Sequence, residues 1–281
     1  MSRCLVFVVF LVINLSFFPP PAQAEQKAIE FAIGNGYSPF IDEVLPQGGV
    51  FREIVETAVS RVGAVSITRV VPWARAKKLA RAGRVHATYS WGWSEEHQLM
   101  FLLGKPLACL EQRLFAKNAT LAASPKLSND DYAKVTGKVC FPQDWTLAPT
   151  LARAVEEGRL VRMNPQGMSN CFDMLRIGRV DFVQAEPISA SILMNDMRQN
   201  DVKWGELAKD AIDYAKGEPL QSSRSHILFS QNRSDGREWS LRLSKELQKM
   251  DDDGITEKIW MRHLAHHGLP KELMPACREG Q

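Results

Sequence analysis

The segment YSWGWSEEHQ, residues 89–98, places two indole rings next to a hydroxyl and an imidazole. Trp91 and Trp93 could form the aromatic wall of a binding cleft, and His97 could hydrogen-bond a bound molecule. Ser94, followed by two glutamates, is a favourable start for a helix. The alternatives are packing in the protein core for the two tryptophans and a solvated helix position for His97.

Four other residues with aromatic or cationic side chains fall where a site could form. Tyr37 and Phe40 follow the first predicted strand, and ligands of open α/β sheets bind at the carboxyl ends of strands. Trp73 stands at the start of a predicted helix, and the pattern is compatible with either core packing or cleft lining. Arg75 lies beside it and could bind an anionic group.

Three histidines, His263, His266 and His267, include one pair with the i, i+4 spacing of a metal site. No carboxylate or cysteine accompanies them in motif spacing, and the end of a helix accommodates cationic histidine through the helix dipole. The chain also has no Gly-x-Ser-x-Gly or His-Glu-x-x-His motif. We therefore predict no metal, no cofactor and no catalytic residues.

The elements that would position these residues alternate between strands and helices. The strand-like segments IEFAI, AVSITRVV and RVHATYS are separated by the helix-like segments GGVFREIVETAVSRVG and PWARAKKLARAG. The middle third repeats this order, and both AGRVHATYS and IGRVDFVQA have a helix that ends on glycine before a strand. The order predicts an α/β fold with two lobes, each a mostly parallel sheet flanked by helices.

Two extended segments are predicted to connect the lobes. They are Leu107–Lys117 and the strand around His226–Ser230, and together they would form a two-strand hinge. The predicted division gives a signal peptide over residues 1–24, lobe 1 over residues 25–117 and 224–281 with its C-terminal helices, and lobe 2 over residues 118–223.

The N-terminal segment has the pattern of a secretory signal. Arg3 precedes an apolar run over residues 4–18, and AQA at residues 22–24 is the expected cleavage site. No later run of about 18 apolar residues occurs, so we predict a soluble, periplasmic protein. The net charge is +3, and no dense basic cluster is interleaved with aromatic residues, which argues against nucleic acid as a partner.

Four cysteines follow the signal, namely Cys109, Cys140, Cys171 and Cys277. In an oxidising compartment they allow three pairings. We favour a Cys140–Cys171 disulfide because both residues lie in the middle third of the chain. Cys109 and Cys277 would then form a second pair or both stay free, and buried free thiols are the alternative for all four.

Four segments, GYSPF, PWARAKKLARAGRV, GRVD and MDDDGITEKIW, carry a resemblance over nearly the whole chain after the signal. Their order and spacing resemble the family 3 solute-binding proteins of bacterial ABC transporters, the amino-acid-binding type. The resemblance implies the periplasmic-binding-protein type II fold, with two lobes, a hinge and a cleft that closes over one small ligand.

The resemblance also implies site residues. Family members usually have Ser/Thr-x-x-Arg after the third strand, and here Ser94 matches while His97 replaces the arginine that holds a ligand carboxylate. The acid that pairs with a ligand ammonium group corresponds to Glu186. A Gly-Thr-Thr segment corresponds to residues 144–146, where Thr146 could cap a helix and Trp145 could stack on a ligand.

The function that the resemblance implies is capture of a small polar solute, amino-acid-like or another small organic molecule. The protein would deliver it to an ABC permease, and we expect a monomer without enzymatic activity. The alternatives are an enzyme on the same scaffold, similar to cyclohexadienyl dehydratases, and a soluble ligand-sensing partner of a signalling receptor. Turnover of prephenate or arogenate, with Glu186 or His97 transferring the proton, would identify the enzyme.

Overall fold

The computed structural model describes residues 27–121, 126–143, 147–208 and 211–275. The predicted signal peptide, Trp145, Thr146 and Cys277 lie outside the described residues. Among the helices in these ranges, none combines the length and the apolar character needed to cross a bilayer.

The first elements alternate in the predicted order, because each helix carries an apolar stripe that packs on the strands beside it. In α1 the buried side chains include Val50, Ile54, Val55 and Ala58, at helical spacing. The elements are β1 (Ala28–Ile33), a 3-10 helix (Pro46–Gly48), α1 (Val50–Arg61), β2 (Val65–Val70), α2 (Trp73–Arg81), β3 (Ala87–Gly92), α3 (Glu95–Met100) and β4 (Phe101–Leu103).

The chain then passes through a long strand into a second set of elements and returns through another long strand. The outgoing strand and second set are β5 (Ala108–Lys117), α4 (Asn118–Leu121), β6 (Lys126–Leu127), α5 (Asn129–Tyr132), β7 (Gly137–Cys140), α6 (Pro149–Glu156), β8 (Leu160–Met163), α7 (Met168–Arg176), β9 (Phe182–Ala185), α8 (Pro187–Asn200), α9 (Val202–Gly205), β10 (Ile212–Tyr214) and β11 (Lys216–Gly217). The return is β12 (Gln221–Ser230), followed by α10 (Gly236–Asp252), α11 (Ile255–His266) and a 3-10 helix (Lys271–Leu273).

The main sheet runs through two lobes, with strand order β2-β1-β3-β12-β5-β9-β7-β8. Strand β1 is parallel to β2 and β3 in lobe 1, and β7 is parallel to β8 and β9 in lobe 2. Strand β5 pairs first with β12 over residues 108–112 and then with β9 over residues 113–115. Strand β12 continues into lobe 1, where it pairs with β3 and β4. The predicted architecture of two mostly parallel lobes joined by a two-strand hinge, β5 and β12, is confirmed.

Each lobe has its own apolar core. In lobe 1 the sheet packs against α1, α10 and α11 through residues such as Phe31, Phe51 and Trp260. In lobe 2 a core around Phe172 and Trp204 packs beneath α7 and α8. The two lobes can therefore each hold their shape while the hinge strands bend.

A disulfide joins Cys140 at the end of β7 to Cys171 in α7, with a Cα–Cα distance of 5.4 Å. The predicted pairing is confirmed. Cys109 in β5 is also disulfide-bonded, and Cys277, the partner proposed for it from the sequence, lies outside the described residues. Both Cys140 and Cys171 are fully buried in the lobe 2 core.

Helix α8 is the main element that the sequence analysis did not predict. Its buried residues include Ile188, Ala190 and Met194, which do not form a single stripe on the helix. Ile188 packs in the lobe 1 core, whereas Ala190 and Met194 pack in the lobe 2 core. The amphipathic signal is weak because α8 contacts both lobes.

Candidate functional site

A cavity of about 920 Å³ lies between the lobes beside the hinge. The lobe 1 wall is formed by the loop after β1, which includes Tyr37 and Ser38, and by the end of α11. The lobe 2 wall is formed by the start of α7 and by one side of α8, and Gln112 of the hinge strand β5 also lines it. A concave site of this size at a lobe interface can hold a small organic molecule.

Glu186 is the buried acid of this cavity, with 7% of its surface exposed. Its carboxylate oxygens accept hydrogen bonds from the backbone N–H groups of Ile188 at 3.0 Å and Ser189 at 2.8 Å, and so cap α8. Burial raises the pKa of Glu186 to about 7, although these backbone hydrogen bonds act to lower it. A cation entering the cavity would favour the ionised form of this carboxyl group.

Tyr37 lies on the lobe 1 wall of the cavity, and its phenol interacts electrostatically with the carboxyl group of Glu186. Burial raises the pKa of the Tyr37 phenol, and the negative charge of Glu186 raises it further. The phenol therefore stays protonated and can donate or accept a hydrogen bond in the cavity.

Five of the predicted site residues come together in what we call the aromatic row. The row is formed by Phe40, Tyr37, Trp73, Trp91 and His97, with successive ring centroids 4.7, 6.5, 5.6 and 5.7 Å apart. Most of these contacts are edge-to-face, the geometry that aromatic quadrupoles favour. Phe40 and His97 are buried, whereas Trp73 and Trp91 are partly exposed. Of these five residues, only Tyr37 lines the cavity.

Trp73 can enter this row because Gly34 has no side chain. A Cβ atom added at Gly34 would lie 2.0 Å from two atoms of the Trp73 indole. The indole Nε1 donates to the backbone oxygen of Asn35 at 3.1 Å, which fixes the ring against the end of β1.

We expect Gly34→Ala to displace Trp73, because overpacking of this kind costs about 1–3 kcal/mol. Near-ultraviolet circular dichroism should change in the tryptophan region, and the melting temperature should fall. Gly36→Ala is the matched control. Gly36 has φ 75° and open space around its Cβ position, so this variant should lose about 1 kcal/mol from backbone strain alone and keep the tryptophan signal. An unchanged signal in Gly34→Ala would contradict the packing described here.

His97 is nearly buried, with 8% of its surface exposed. Its Nδ1 atom hydrogen-bonds the backbone oxygen of Gly92 at 2.8 Å, and its ring also packs near Phe101. Ser94 accepts a hydrogen bond from the backbone N–H of His97 and caps α3 as predicted. Neither side chain is among the described residues that line the cavity, and their contact with a ligand stays a prediction.

The remaining lobe 1 candidates differ in exposure. Trp91 is half-buried, donates from Nε1 to Thr88 Oγ1 at 2.9 Å, and lies under the Lys77 ammonium at 5.3 Å. Trp93 is 51% exposed, and Arg75 is exposed on α2. A ligand contact for each of these three also stays a prediction, because none borders the cavity in the described part of the chain.

Ser90, between Tyr89 and Trp91, has a backbone angle that is unusual for a residue other than glycine. Ser90 has φ 72°, and the pairing of β12 with β3 shifts register at this point. Gly92 does provide room, because a Cβ atom there would lie 2.8 Å from Ser223 Oγ on β12. The hydroxyl of Ser90 is buried without a hydrogen-bond partner in the described structure, and no sequence signal pointed to it.

The predicted contacts Trp145 and Thr146 precede α6 and lie outside the described residues. The start of α6 itself is held by Gln184 of β9, which is 1% exposed and accepts a hydrogen bond from the backbone N–H of Ala148 at 2.8 Å. Sequence reasoning did not select Gln184, because a lone glutamine in a strand carries no motif.

A direct hydrogen bond between the lobes was also not predicted from the sequence. Ser189 Oγ at the start of α8 donates to the backbone oxygen of Ser38 at 2.9 Å. Both serines line the cavity. Because 151 positions separate them in the chain, only the fold brings them together.

The three histidines at the end of α11 have separate roles. His263 is 3% exposed, and its Nε2 atom lies 2.8 Å from a carboxylate oxygen of Glu53 in α1. His266 and His267 line the cavity. Among the described residues, no group of three histidine, cysteine or acidic side chains is arranged to hold a metal ion.

No protein-family model matches the chain, and no curated protein matches its sequence. Solved structures do share its fold. A probable amino-acid ABC transporter extracellular-binding protein from Bacillus subtilis is 16% identical with a TM-score of 0.65, over 85% of this chain and 98% of that chain. An amino-acid ABC transporter substrate-binding protein from Streptococcus pneumoniae, bound to L-arginine, is 16% identical with a TM-score of 0.61, over 85% and 95%.

A histidine kinase sensor domain with similarity to periplasmic binding proteins is 17% identical with a TM-score of 0.63, over 85% of this chain and 96% of that chain. At such identities the likeness establishes the fold alone. The chain therefore has the two-lobed fold of the periplasmic binding proteins, as the sequence predicted.

Proposed function

We propose that this chain is a periplasmic solute-binding protein that captures a small polar solute between its lobes and delivers it to an ABC permease. The observation that carries the proposal is the cavity at the hinge, which both lobes line and which contains the buried Glu186. Closure over a solute would expel water and strengthen its contacts with the polar groups of the wall. The printed descriptions of the B. subtilis and S. pneumoniae proteins support the same role.

The proposal includes the organisation predicted from the sequence. Residues 1–24 are the cleaved signal, residues 25–117 and 224–281 are lobe 1, residues 118–223 are lobe 2, and the protein acts as a monomer without enzymatic activity. Tyr37 and Glu186 are the proposed ligand contacts with the strongest support, because both line the cavity.

Native mass spectrometry of the purified protein should detect a carried-over small molecule, and a thermal-shift screen should identify its class. A ligand at 100 times its dissociation constant adds about 2.7 kcal/mol, which corresponds to roughly 5–11 °C in melting temperature for a protein of this size. Small-angle scattering should show a smaller radius of gyration with the ligand. If no solute raises the melting temperature and the radius stays constant, the proposal is wrong.

A sensory role is the second candidate, supported by the similarity to the histidine kinase sensor domain. The same cleft would serve both roles. In cells that lack the protein, lost uptake of the identified solute supports delivery, whereas normal uptake with a lost transcriptional response supports sensing. Conversion of prephenate or arogenate by the purified protein would contradict the non-enzymatic proposal.

A further inference from the structure

The cavity between the lobes is long. Its lobe 2 wall follows one side of α8, and Glu186, Ser189, Leu193, Asp196 and Gln199 line it at helical spacing. From Glu186 to Gln199 the helix advances roughly 20 Å, at 1.5 Å per residue. Such a wall can contact an extended solute along its whole length.

Apart from two histidines, the described side chains that can bring a charge to the cavity near neutral pH are carboxylates. Glu186 lies at the start of α8, Asp196 lies roughly 15 Å further along the helix, and Asp42 lines the lobe 1 side. Among the described lining residues there is no lysine or arginine. Burial lowers the pKa of His267, one of the two lining histidines, and nearby His266 and His263 lower it further, which favours the neutral ring.

This distribution of charge does not suit a zwitterionic amino acid. A ligand carboxylate is normally held by an arginine fork or a lysine. Here it would meet carboxylates instead, and like charges brought together without a cationic partner cost affinity. An ammonium group would find a partner at Glu186 and another at Asp196 or Asp42.

Apolar side chains contribute to the wall between these carboxylates, beside the polar Ser189 and Asn195. Leu45 contributes from lobe 1, and Ile192 and Leu193 contribute from α8. Aliphatic methylene groups bury favourably against such side chains. The pattern along the cavity is thus anionic, partly apolar and anionic.

We infer that the solute is an elongated aliphatic amine without a carboxylate, held with one ammonium group near Glu186 and a second near Asp196 or Asp42. This inference rests on the proposed function and specifies its substrate class. Longer polyamines such as spermine can reach both ends of the wall. Short diamines and the decarboxylated forms of the basic amino acids have the same chemistry and would occupy one end.

Matched pairs of ligands test the inference by isothermal titration calorimetry on the mature protein. Cadaverine differs from lysine, and agmatine from arginine, only by the carboxylate. We expect each amine to bind at least about tenfold more tightly than its amino acid, because the carboxylate must be desolvated beside like charges. Spermine should bind more tightly than putrescine, because only the longer molecule reaches both ends of the wall.

Single substitutions distinguish the contributions that the two ends of the cavity wall make to amine binding. Asp196→Asn and Asp42→Asn keep the shape of the wall, and each should weaken spermine binding by about two- to fivefold while leaving putrescine nearly unchanged. Glu186→Gln should weaken both amines by about tenfold or more. Glu257→Gln removes an exposed acid of α11 and is the control, expected to stay within about twofold.

Each outcome has a definite meaning. Tighter binding of lysine or arginine than of the matched amine, or binding of only a neutral solute, overturns the inference and leaves the proposed function intact. Equal spermine affinity in wild type and Asp196→Asn/Asp42→Asn overturns the two-ended arrangement. If no solute of any class binds and the lobes do not close, the proposed function fails as well.

Discussion

The double variant Cys140→Ala/Cys171→Ala should lose roughly 3–4 kcal/mol of the free energy of unfolding. The disulfide closes a loop with a sequence separation of 31, and removing such a link restores conformational entropy to the unfolded chain by about this amount. Both sulfurs are also fully buried in the lobe 2 core. The melting temperature should fall by about 6–16 °C, as measured by calorimetry.

The site of this destabilisation can be checked by hydrogen exchange. Amide protection should fall in β7 and α7 of lobe 2, while the amides of α1 and α10 in lobe 1 serve as the internal control and stay protected. Chemical reduction is a poorer test, because Cys109 is disulfide-bonded as well. A double variant with wild-type stability would show that the cross-link contributes little to the fold.

The contribution of Glu186 to stability should decrease as the pH rises. Burial raises the pKa of Glu186 from 4.5 to about 7, so between these values the folded state binds more protons than the unfolded state. By linkage the free energy of unfolding then falls with increasing pH in this window and levels off above about pH 7. The shift corresponds to roughly 3 kcal/mol between the two limits.

The comparison with Glu186→Gln isolates this contribution from those of other groups. Glutamine keeps one acceptor for the backbone N–H groups at the start of α8 and cannot ionise. The stability difference between wild type and Glu186→Gln, measured by denaturant unfolding from pH 4 to 8, should change by roughly 3 kcal/mol in favour of the variant. Glu257→Gln controls for the loss of one exposed acid. Parallel pH profiles for wild type and Glu186→Gln would contradict the buried, proton-binding role of Glu186.

The architecture was predictable where one face of an element is buried and the other is solvated. Helix α1 shows its apolar stripe directly in the sequence, and glycines after α2 and α7 mark where each helix ends. These features depend on local patterns, which a single sequence contains. The Cys140–Cys171 pair was favoured for a coarser reason, namely that both residues lie in the middle third of the chain, which forms lobe 2.

The features that could not be predicted depend on contacts between segments that are distant in the sequence. Helix α8 was missed because its residues contact both lobes, and so no single apolar stripe is present. Glu186 was selected through a family resemblance, and its burial and its cap on α8 were not visible in the sequence. Tyr37, Phe40, Trp73 and Trp91 were selected one by one as ligand contacts, and their arrangement in one row, with Trp73 packed over Gly34, could not be read from the sequence.

The start of α8 combines two contacts within one turn of helix. Glu186 faces the cavity, and three residues later Ser189 holds the backbone of Ser38 on the opposite lobe. Any molecule that changes the charge of the carboxylate acts on the same rigid backbone that fastens the two halves together. The ionisable group of the cavity and the hydrogen bond that joins the lobes thus share a single turn of α8.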